Sequence, residues 1–385
     1  MKTGNKGEWS EAYTFVKLLG EGQVHVADKE LNKIDKSYSI KKIYKDNVRK
    51  YYEIDSTNQV VKIFNYDGKF IDSFDTSKFN KIAEQSFKLI KEGKGPSFEV
   101  PLLKDFLNEI GIDKFKSSSK KKEDIKIEVV DENSEKSQTF TFSIKSHIGR
   151  KPSLLNASKL TNFTFIVRGL PEERRTILNS YKNSKGEEDL KRRYGEIFNE
   201  YERGKYIIEF VNEKDNIFYQ NLRLINYYLP NILAYLLFYY YSHEEESEIE
   251  LLINDLIEFN PLNLESSEKN SYKDILYKFL EAVTFGMRPG DRWDKTHEVT
   301  GGLLSVKKDG DILCLPKFFG EDYLKDYLFN SVVFDTGSTN KHDFGQLKRV
   351  NIFPLKHFTL NSKDNDTQIE EDTLYFKLNL LLKFK

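Results

Sequence analysis

The residues with the clearest chemical potential lie at the two ends of one short stretch, DIKIEVVDENSEKSQTFTFSIKS, residues 124–146. This stretch predicts two strands around a polar turn, with Asp124 as its first residue and Lys145 one residue before its end. Centring the turn between Ser134 and Glu135 places Asp124 directly across from Lys145. A carboxylate can hold a metal ion and an ammonium can neutralise a phosphate, so this pair could serve in metal-dependent phosphodiester hydrolysis.

The rest of this hairpin alternates between the two faces of a sheet. The apolar face carries Ile125, Ile127, Val129, Phe140, Phe142 and Ile144. The polar face carries Asp124, Lys126, Glu128, Thr139, Thr141, Ser143 and Lys145. One interpretation is a solvated face whose cross-strand ion pair contributes at most about 1 kcal/mol. The other is a metal-dependent nuclease centre, which requires a further acid and a DNA-binding context.

Acidic residues also occur on the first predicted helix, GEWSEAYTFVKLLGEG, which ends at Gly20 to Gly22. Its apolar face is formed by Ala12, Phe15, Val16 and Leu19. Glu8 falls inside this apolar arc, and Glu11 lies at its edge. A carboxylate that points toward a core is costly unless it is paired or bound to a cation. Glu8 also has a structural explanation as a first-turn acid, and this explanation is weaker for Glu11, which sits further into the helix.

The composition indicates a globular protein with a sizeable core, because 38% of its 385 residues are hydrophobic and 31% are charged. The net charge of −1 argues against a sequence-indifferent DNA-coating protein, although it is compatible with a local basic cleft.

The single cysteine, Cys314, rules out an intramolecular disulfide and suits a reducing cytosol, so a cytoplasmic location is expected. No P-loop, GxGxxG, GxSxG or HExxH motif occurs, and histidine and cysteine are too sparse for a structural zinc site.

No secretory or membrane segment is predicted. The N-terminus MKTGNKGEWSE lacks an apolar stretch, so no signal peptide is expected. The most apolar run, YYLPNILAYLLFYYYSHEE, is interrupted by Pro230 and Asn231 and predicts a buried helix.

The remaining chain alternates between helical and extended patterns. Helices are predicted over 76–92, 101–110, 172–203, 217–241, 247–258 and 271–285. Strands are predicted within 51–74, and again after Met287 in GGLLSVKKDGDILCL, SVVFDTGS, VNIFPLK and LYFKLNLLLKFK. This order predicts an α/β or α+β layered fold.

Five stretches share a resemblance that extends in order along the chain. They are NKGEWSEAYTFVKLL, FTFSIKSHIG, SLLNASKLTNFTF, HDFG and YFKLNLLLKF, and they resemble the HpaII family of type II restriction endonucleases. The resemblance implies a PD-(D/E)xK core, with a mixed β-sheet flanked by helices. It also implies Mg²⁺-dependent cleavage of double-stranded DNA at a palindromic CCGG-type target. In this interpretation, residues 1–285 form the nuclease core with helical insertions, and 286–385 form a β-rich region that contributes to DNA recognition.

The resemblance also assigns roles to individual residues. Asp124 resembles the acid that opens the nuclease motif, and Lys145 resembles its lysine. Ser143 stands where an aspartate or glutamate is usual, and a serine cannot supply the second carboxylate. Glu11, in a KGxxxE arrangement, is the expected donor of that carboxylate and a catalytic residue with the other three. Glu8 is the alternative metal ligand, and Glu128 on the polar face is a more distant one.

DNA contacts are expected from polar segments that contain the donors which bases and phosphates require. The candidates are Arg150, Lys151, Ser153, Asn156, Ser158 and Asn162, then Arg288 and Arg292, and then Ser338, Thr339, Asn340, Lys341 and His342. His147 is expected to contact backbone phosphate rather than to act as a base. The alternative for each of these residues is an ordinary turn position.

The leading hypothesis is a restriction endonuclease that acts on double-stranded DNA and is paired with a cognate DNA methyltransferase. A palindromic target suggests a homodimer, and a monomer that cuts one strand at a time is the alternative. Two rival hypotheses are a structure-specific or repair nuclease with the same core, and a non-catalytic DNA-binding protein. A neighbouring methyltransferase gene would favour restriction.

Overall fold

The computed structural model describes residues 3–113, 122–130, 136–211, 213, 215–243, 247–266, 268–318, 323–349, 357–359 and 373–385. The helices are α1 Lys6–Glu21, α2 Thr76–Glu92, α3 Pro101–Glu109, α4 Glu172–Asn179, α5 Leu190–Glu202, α6 Ile217–Ile225, α7 Leu229–Ser242, α8 Ile249–Phe259, α9 Ser271–Phe285, α10 Tyr323–Ser331 and α11 Thr339–His342. The strands are β1 Gln23–Ala27, β2 Lys33–Lys45, β3 Lys50–Asp55, β4 Val60–Asn65, β5 Phe70–Asp75, β6 Ile125–Val130, β7 Ser137–Ser146, β8 Ser153–Leu155, β9 Asn162–Arg168, β10 Ile207–Val211, β11 Gly302–Val306, β12 Ile312–Pro316, β13 Val332–Phe334, β14 Lys348–Arg349, β15 His357–Thr359, β16 Leu374–Asn379 and β17 Leu382–Phe384.

The mixture of helices and sheets confirms the predicted α/β class. The chain divides into two compact units, and both are assembled from separate segments. Unit 1 contains 1–152 and 297–328, and unit 2 contains 153–296 and 329–385. This division differs from the predicted one at 285/286, because β11 pairs in parallel with β7 and thereby joins a late segment to the first sheet.

Unit 1 is built on a sheet of nine described strands in the order β1-β12-β11-β7-β6-β2-β3-β4-β5. Strand β2 is long enough to have two sets of neighbours. Its first half pairs with β1, and its second half pairs with β3 and β6. The hairpin β6–β7 therefore lies in the interior of the sheet, with β2 on one side and β11 on the other.

The observed hairpin register corrects the predicted one. Ile125 pairs with Phe142, so the pairing of β7 is shifted by two positions and Asp124 faces Ser143 instead of Lys145. An even shift leaves every side chain on its predicted face, and the six apolar residues are all buried. The turn at Ser134 and Glu135, from which the register was predicted, lies outside the described residues.

The polar face of the hairpin is not uniformly solvated. Ser143 and Glu128 are buried, with 2% and 9% of their surface exposed. The interpretation of this face as a simple solvated surface is therefore wrong at these two positions.

Helix α1 packs its apolar side into the same core as the hairpin. A capping box between Asn5 and Glu8 starts the helix, and Gly22 ends it in the left-handed region at φ 68°. Trp9 is fully buried, and its Nε1 donates to the carbonyl oxygen of Phe98 at 2.9 Å. These contacts fix the position of α1 along its own axis.

Unit 2 contains a sheet in the order β14-β16-β9-β10-β15 and a smaller sheet in the order β13-β17-β8. Helix α7 is almost wholly buried, as predicted for the most apolar run. None of the helices in the described part of the chain is long and apolar enough to cross a membrane.

The predicted helical stretches 172–203 and 217–241 each divide into two helices. The predicted strand VNIFPLK, residues 350–356, lies outside the described ranges.

The packing of α1 against α2 allows a stability prediction at Gly20. A Cβ atom there would lie 2.2 Å from Oδ1 of Asn80 and 2.9 Å from its backbone nitrogen. We expect Gly20→Ala to lower the free energy of unfolding by about 1–3 kcal/mol, because the two helices must separate. Denaturant unfolding measures the change. Gly7→Ala, at an exposed position of the same helix, is the control and should change stability by less than about 1 kcal/mol.

Candidate functional site

Asp124 lies directly before β6, at the open end of the hairpin. Its Oδ2 accepts hydrogen bonds from the backbone nitrogen of Ile144 at 2.6 Å and from Oγ of Ser143 at 3.2 Å. Its own backbone nitrogen donates to the carbonyl oxygen of Phe142 at 2.9 Å. The carboxylate is therefore oriented by the strand that also carries Lys145.

Burial controls the charge of Asp124. Burial raises the pKa of its carboxyl, whereas the Lys145 ammonium and the hydrogen bonds from Ile144 and Ser143 oppose this shift. Lys145 is half-buried and lies two residues after Ser143, on the same face of β7. The acid and the lysine predicted from the sequence thus interact electrostatically, although they are not cross-strand partners.

Helix α1 brings a second carboxylate to this end of the hairpin. Oγ of Ser10 and Oγ of Ser146 lie 2.7 Å apart, which joins the helix to the end of β7. Glu11, the next residue, is half-buried. Its pKa is raised to about 8, first by burial and then by the Asp124 carboxylate, against the opposing effect of Lys45. A desolvated acid beside a second acid is the arrangement that a bound cation would stabilise.

The two alternative acids have other partners. The Glu8 carboxylate accepts from the backbone nitrogen of Asn5 at 3.0 Å as part of the capping box. Its charge also raises the pKa of Glu11. Glu128 accepts from the hydroxyl of Tyr44 at 2.9 Å and lies 3.8 Å from the ammonium of Lys41. The geometry therefore favours Glu11 as the second acid.

Lys45, at the end of β2, is a member of this cluster that was not predicted from the sequence. It is 5% exposed, and it interacts electrostatically with Glu11 and Asp124. Burial lowers its pKa to about 8 against the effect of these two acids. Its only sequence signal is that it occupies the same side of the strand as buried Ile43, where an ammonium needs an acidic partner.

The donor set fits a hard divalent cation. Within the described ranges, no group of three or more aspartate, glutamate, histidine or cysteine side chains could hold a metal ion. Mg²⁺ does not require such a group, because it keeps several waters and uses one or two carboxylates together with substrate oxygens. Asp124 and Glu11 supply that number of carboxylates.

The segment after β7 is half-buried and then exposed. Burial lowers the pKa of His147, and the Lys308 ammonium lowers it further, so the neutral imidazole is favoured. Arg150 and Lys151 are exposed at the end of unit 1. Both could reach a polyanion, and their contact with DNA stays a prediction.

In unit 2 the structure brings two of the predicted DNA-contact segments together. Nδ2 of Asn162 donates to the carbonyl oxygen of His342 at 2.9 Å. Nδ2 of Asn379 donates to the carbonyl oxygen of Ser158 and to Oδ1 of Asn162, both at 2.7 Å. Asn162 is 6% exposed, so its side-chain amide holds the backbone of the two segments from the buried side. Sequence reasoning did not identify Asn379, whose role depends on the pairing of β16 with β9.

The outward-facing members of these segments differ in exposure. Asn156, Asn340 and Lys341 are exposed, and Ser153 is half-buried. The Oγ atoms of Ser158 and Ser338 accept backbone hydrogen bonds from Leu160 and Lys341, so these two hydroxyls serve as caps. Thr339 is half-buried within α11.

The third predicted segment approaches the first. A Cβ atom built on Gly290 would lie 3.2 Å from Cδ1 of Leu160, so the loop after α9 contacts the turn before β9. Arg292 is exposed and Arg288 is half-buried. The three predicted segments of unit 2 are therefore neighbours, although each comes from a different part of the chain.

Paired acids and lysines at one end of a mixed sheet are features of nucleases that cut phosphodiester bonds. Comparison with known proteins identifies the class of nuclease. The model of the HpaII restriction endonuclease family matches residues 5–365. The chain is 36% identical over 356 residues to the type II restriction enzyme HpaII of Haemophilus parainfluenzae. The aligned region covers 91% of this chain and 95% of that protein. No solved structure matches the chain.

The protein is thus a type II restriction enzyme, a site-specific deoxyribonuclease that acts on DNA. The chain belongs to the HpaII restriction endonuclease family. The resemblance seen in the sequence is confirmed.

The raised pKa of Glu11 predicts a pH-dependent stability. Between about pH 5 and 8 the folded state keeps a proton on Glu11 that the unfolded state has lost, so raising the pH favours unfolding. We expect metal-free protein to lose at least about 1 kcal/mol across this window, and Glu11→Gln to remove the part of the loss that is due to Glu11; Asp124, whose pKa burial also raises, contributes in the same direction. Urea unfolding in the presence of a chelator measures it.

The control for this measurement is Glu99→Gln, at an exposed carboxylate of the same unit. This variant should keep the pH dependence of the wild type. An unchanged slope in Glu11→Gln would show that this carboxyl titrates normally.

Proposed function

We propose that this restriction enzyme hydrolyses phosphodiester bonds of double-stranded DNA with Mg²⁺, using Asp124, Glu11 and Lys145. One observation carries the proposal. The helix residue Glu11 shares a desolvated environment with Asp124, on a hairpin whose usual second acid is replaced by Ser143. A carboxylate from a different element thus supplies the charge that the hairpin lacks.

Each residue has a distinct role in this proposal. Asp124 and Glu11 would hold the cation, which when bound supplies an activated water and stabilises negative charge on the phosphate. Ser143 orients Asp124 through its 3.2 Å hydrogen bond. The Lys145 ammonium lies on the same face and neutralises the charge that develops on the phosphate. Lys45 balances the two acids from the buried side of the cluster.

The proposed target is a short palindrome of the CCGG type. The support is the family match and the presence of arginines in exposed or half-exposed loops, since arginine commonly reads guanine. A palindrome presents two equivalent half-sites, so the proposed assembly on DNA is a homodimer around a shared two-fold axis. Host DNA would need protection by a cognate DNA methyltransferase, and the proposed place of action is the cytoplasm.

The catalytic assignment is tested by Asp124→Asn and Lys145→Ala. We expect each variant to cut plasmid DNA at least about a hundredfold more slowly than wild type and to keep specific DNA binding. In Asp124→Asn, the effect of Mg²⁺ on binding should also weaken, because an amide is a poorer ligand than a carboxylate. The measurement is plasmid digestion with and without Mg²⁺, with sequencing of the cut ends to identify the target.

Matched controls are Asp105→Asn and Lys136→Ala, which change an exposed acid and an exposed lysine in the same unit. Both should cut at the wild-type rate. Normal cleavage by Asp124→Asn or Lys145→Ala would instead assign those side chains to a structural ion pair.

The reading of DNA is tested by Arg150→Ala, Arg288→Ala and Arg292→Ala. An arginine bound to guanine should contribute roughly 1–3 kcal/mol of discrimination, so its loss should weaken cognate binding far more than scrambled binding. Lys341→Ala, which removes a phosphate contact, should weaken both and flatten the salt dependence. Binding isotherms on cognate and scrambled duplexes across salt concentrations separate the two effects. If all three arginine variants keep the wild-type ratio of cognate to scrambled binding, the target is recognised by other residues.

A further inference from the structure

The loop after α9 has no regular secondary structure over residues 286–296, and it carries Arg288 and Arg292. Arg292 is exposed, so its position relative to DNA depends on how the loop backbone is held. Irregular backbone has no helical or sheet partners, and its polar groups must be satisfied by side chains or water.

One side chain holds this backbone at three points. Nδ2 of Asn221 donates to the carbonyl oxygen of Arg288 at 3.2 Å and to that of Asp291 at 2.8 Å. Oδ1 of Asn221 accepts from the backbone nitrogen of Trp293 at 3.0 Å. Only 1% of Asn221 is exposed, so solvent does not compete for these bonds. A carboxamide is well suited to this position, because it combines two donor hydrogens with an acceptor on one planar group.

The helix that carries Asn221 is itself well anchored. Phe218 and Leu222 of α6 are fully buried, and Asn216 caps the helix by accepting from the backbone nitrogen of Tyr219 at 3.2 Å. The hydroxyl of Tyr219 donates to the carbonyl oxygen of Asn162 at 2.9 Å. Helix α6 therefore supports both the arginine loop and the neighbouring polar segment that ends at residue 162.

We propose that Asn221 is a positioning residue for target discrimination, which acts by fixing the loop that presents Arg288 and Arg292. This inference rests on the proposed function, because it requires that the loop reads DNA. Asn221 does not touch DNA in this scheme. Among the described residues, the hydrogen bonds of its amide all go to loop backbone, so its loss leaves the arginine charges in place and changes their geometry.

The test compares Asn221→Ala with Asn216→Ala. Asn216→Ala removes the N-cap of α6, whereas Asn221→Ala leaves that cap in place and releases the loop. Binding of cognate and scrambled duplexes is measured with a chelator present to prevent cleavage, and thermal unfolding is recorded for each variant. We expect Asn221→Ala to lower the cognate-to-scrambled ratio about tenfold and to leave scrambled binding within about twofold of wild type. Asn216→Ala should keep the wild-type ratio despite its lower stability.

Two further variants keep the test decisive. Asn221→Asp is isosteric and loses the paired amide donors, so it should lower the ratio even if Asn221→Ala folds poorly. Adding Asn221→Ala to the Arg288→Ala, Arg292→Ala double variant should cause no further loss, because Asn221 acts through those arginines.

The outcomes separate this inference from the proposed function. If the arginine double variant loses discrimination and the folded Asn221 variants do not, the positioning role is overturned and the arginines remain readers. Equal loss in Asn221→Ala and Asn216→Ala also overturns it, since general weakening of α6 would then be the cause. If neither the arginines nor Asn221 affects the ratio, the loop does not read DNA, and both this inference and that part of the proposed function fail. Cleavage by Asp124→Asn tests the nuclease assignment separately.

Discussion

The burial of Glu11 beside Asp124 is the constraint on which the rest of unit 1 depends. Two desolvated carboxylates repel each other, and the pKa of each is raised, so the folded protein holds an acid pair that it would not keep for stability alone. Lys45 and Lys145 offset part of this cost from two different strands. The remaining cost is offset by packing, since α1 and the hairpin share one buried core.

In the proposed site, Ser143 stands where a middle acid is expected, and this changes how the cluster is assembled. A carboxylate at that position would come from the same rigid strand as Lys145. Here the second carboxylate comes from α1, so its distance from Asp124 depends on the Ser10–Ser146 contact and on the axial position of the helix. The serine has a compensating role, because its hydroxyl donates to Asp124 and fixes the orientation of the acid that remains.

Side-chain periodicity explains which parts of the site were predictable. A period of two assigns Asp124, Ser143 and Lys145 to one face of the sheet for any even shift in register. Their predicted face is therefore correct although the predicted pairing was shifted by two positions. Glu11 was predictable because a helix period of 3.6 places it at the edge of an apolar arc. Lys45 and the position of β11 were not predictable, since both depend on pairings between distant strands. The role of Asn379 was hidden for the same reason.

Burial separates the polar residues that support backbone from those that are proposed to contact DNA. Asparagines 162, 221 and 379 are buried and bond mainly to backbone, whereas Arg292 and Lys341 are exposed. Asn162 stands in a polar stretch, but Asn221 lies on helix α6 and Asn379 on strand β16, so the sequence context alone does not identify their shared role. A buried amide satisfies irregular backbone and leaves no charge uncompensated, so it is suited to fixing a loop in place. A long cation at the surface is suited to a polyanion, and in the proposed scheme the position of Arg292 depends on the buried amide of Asn221.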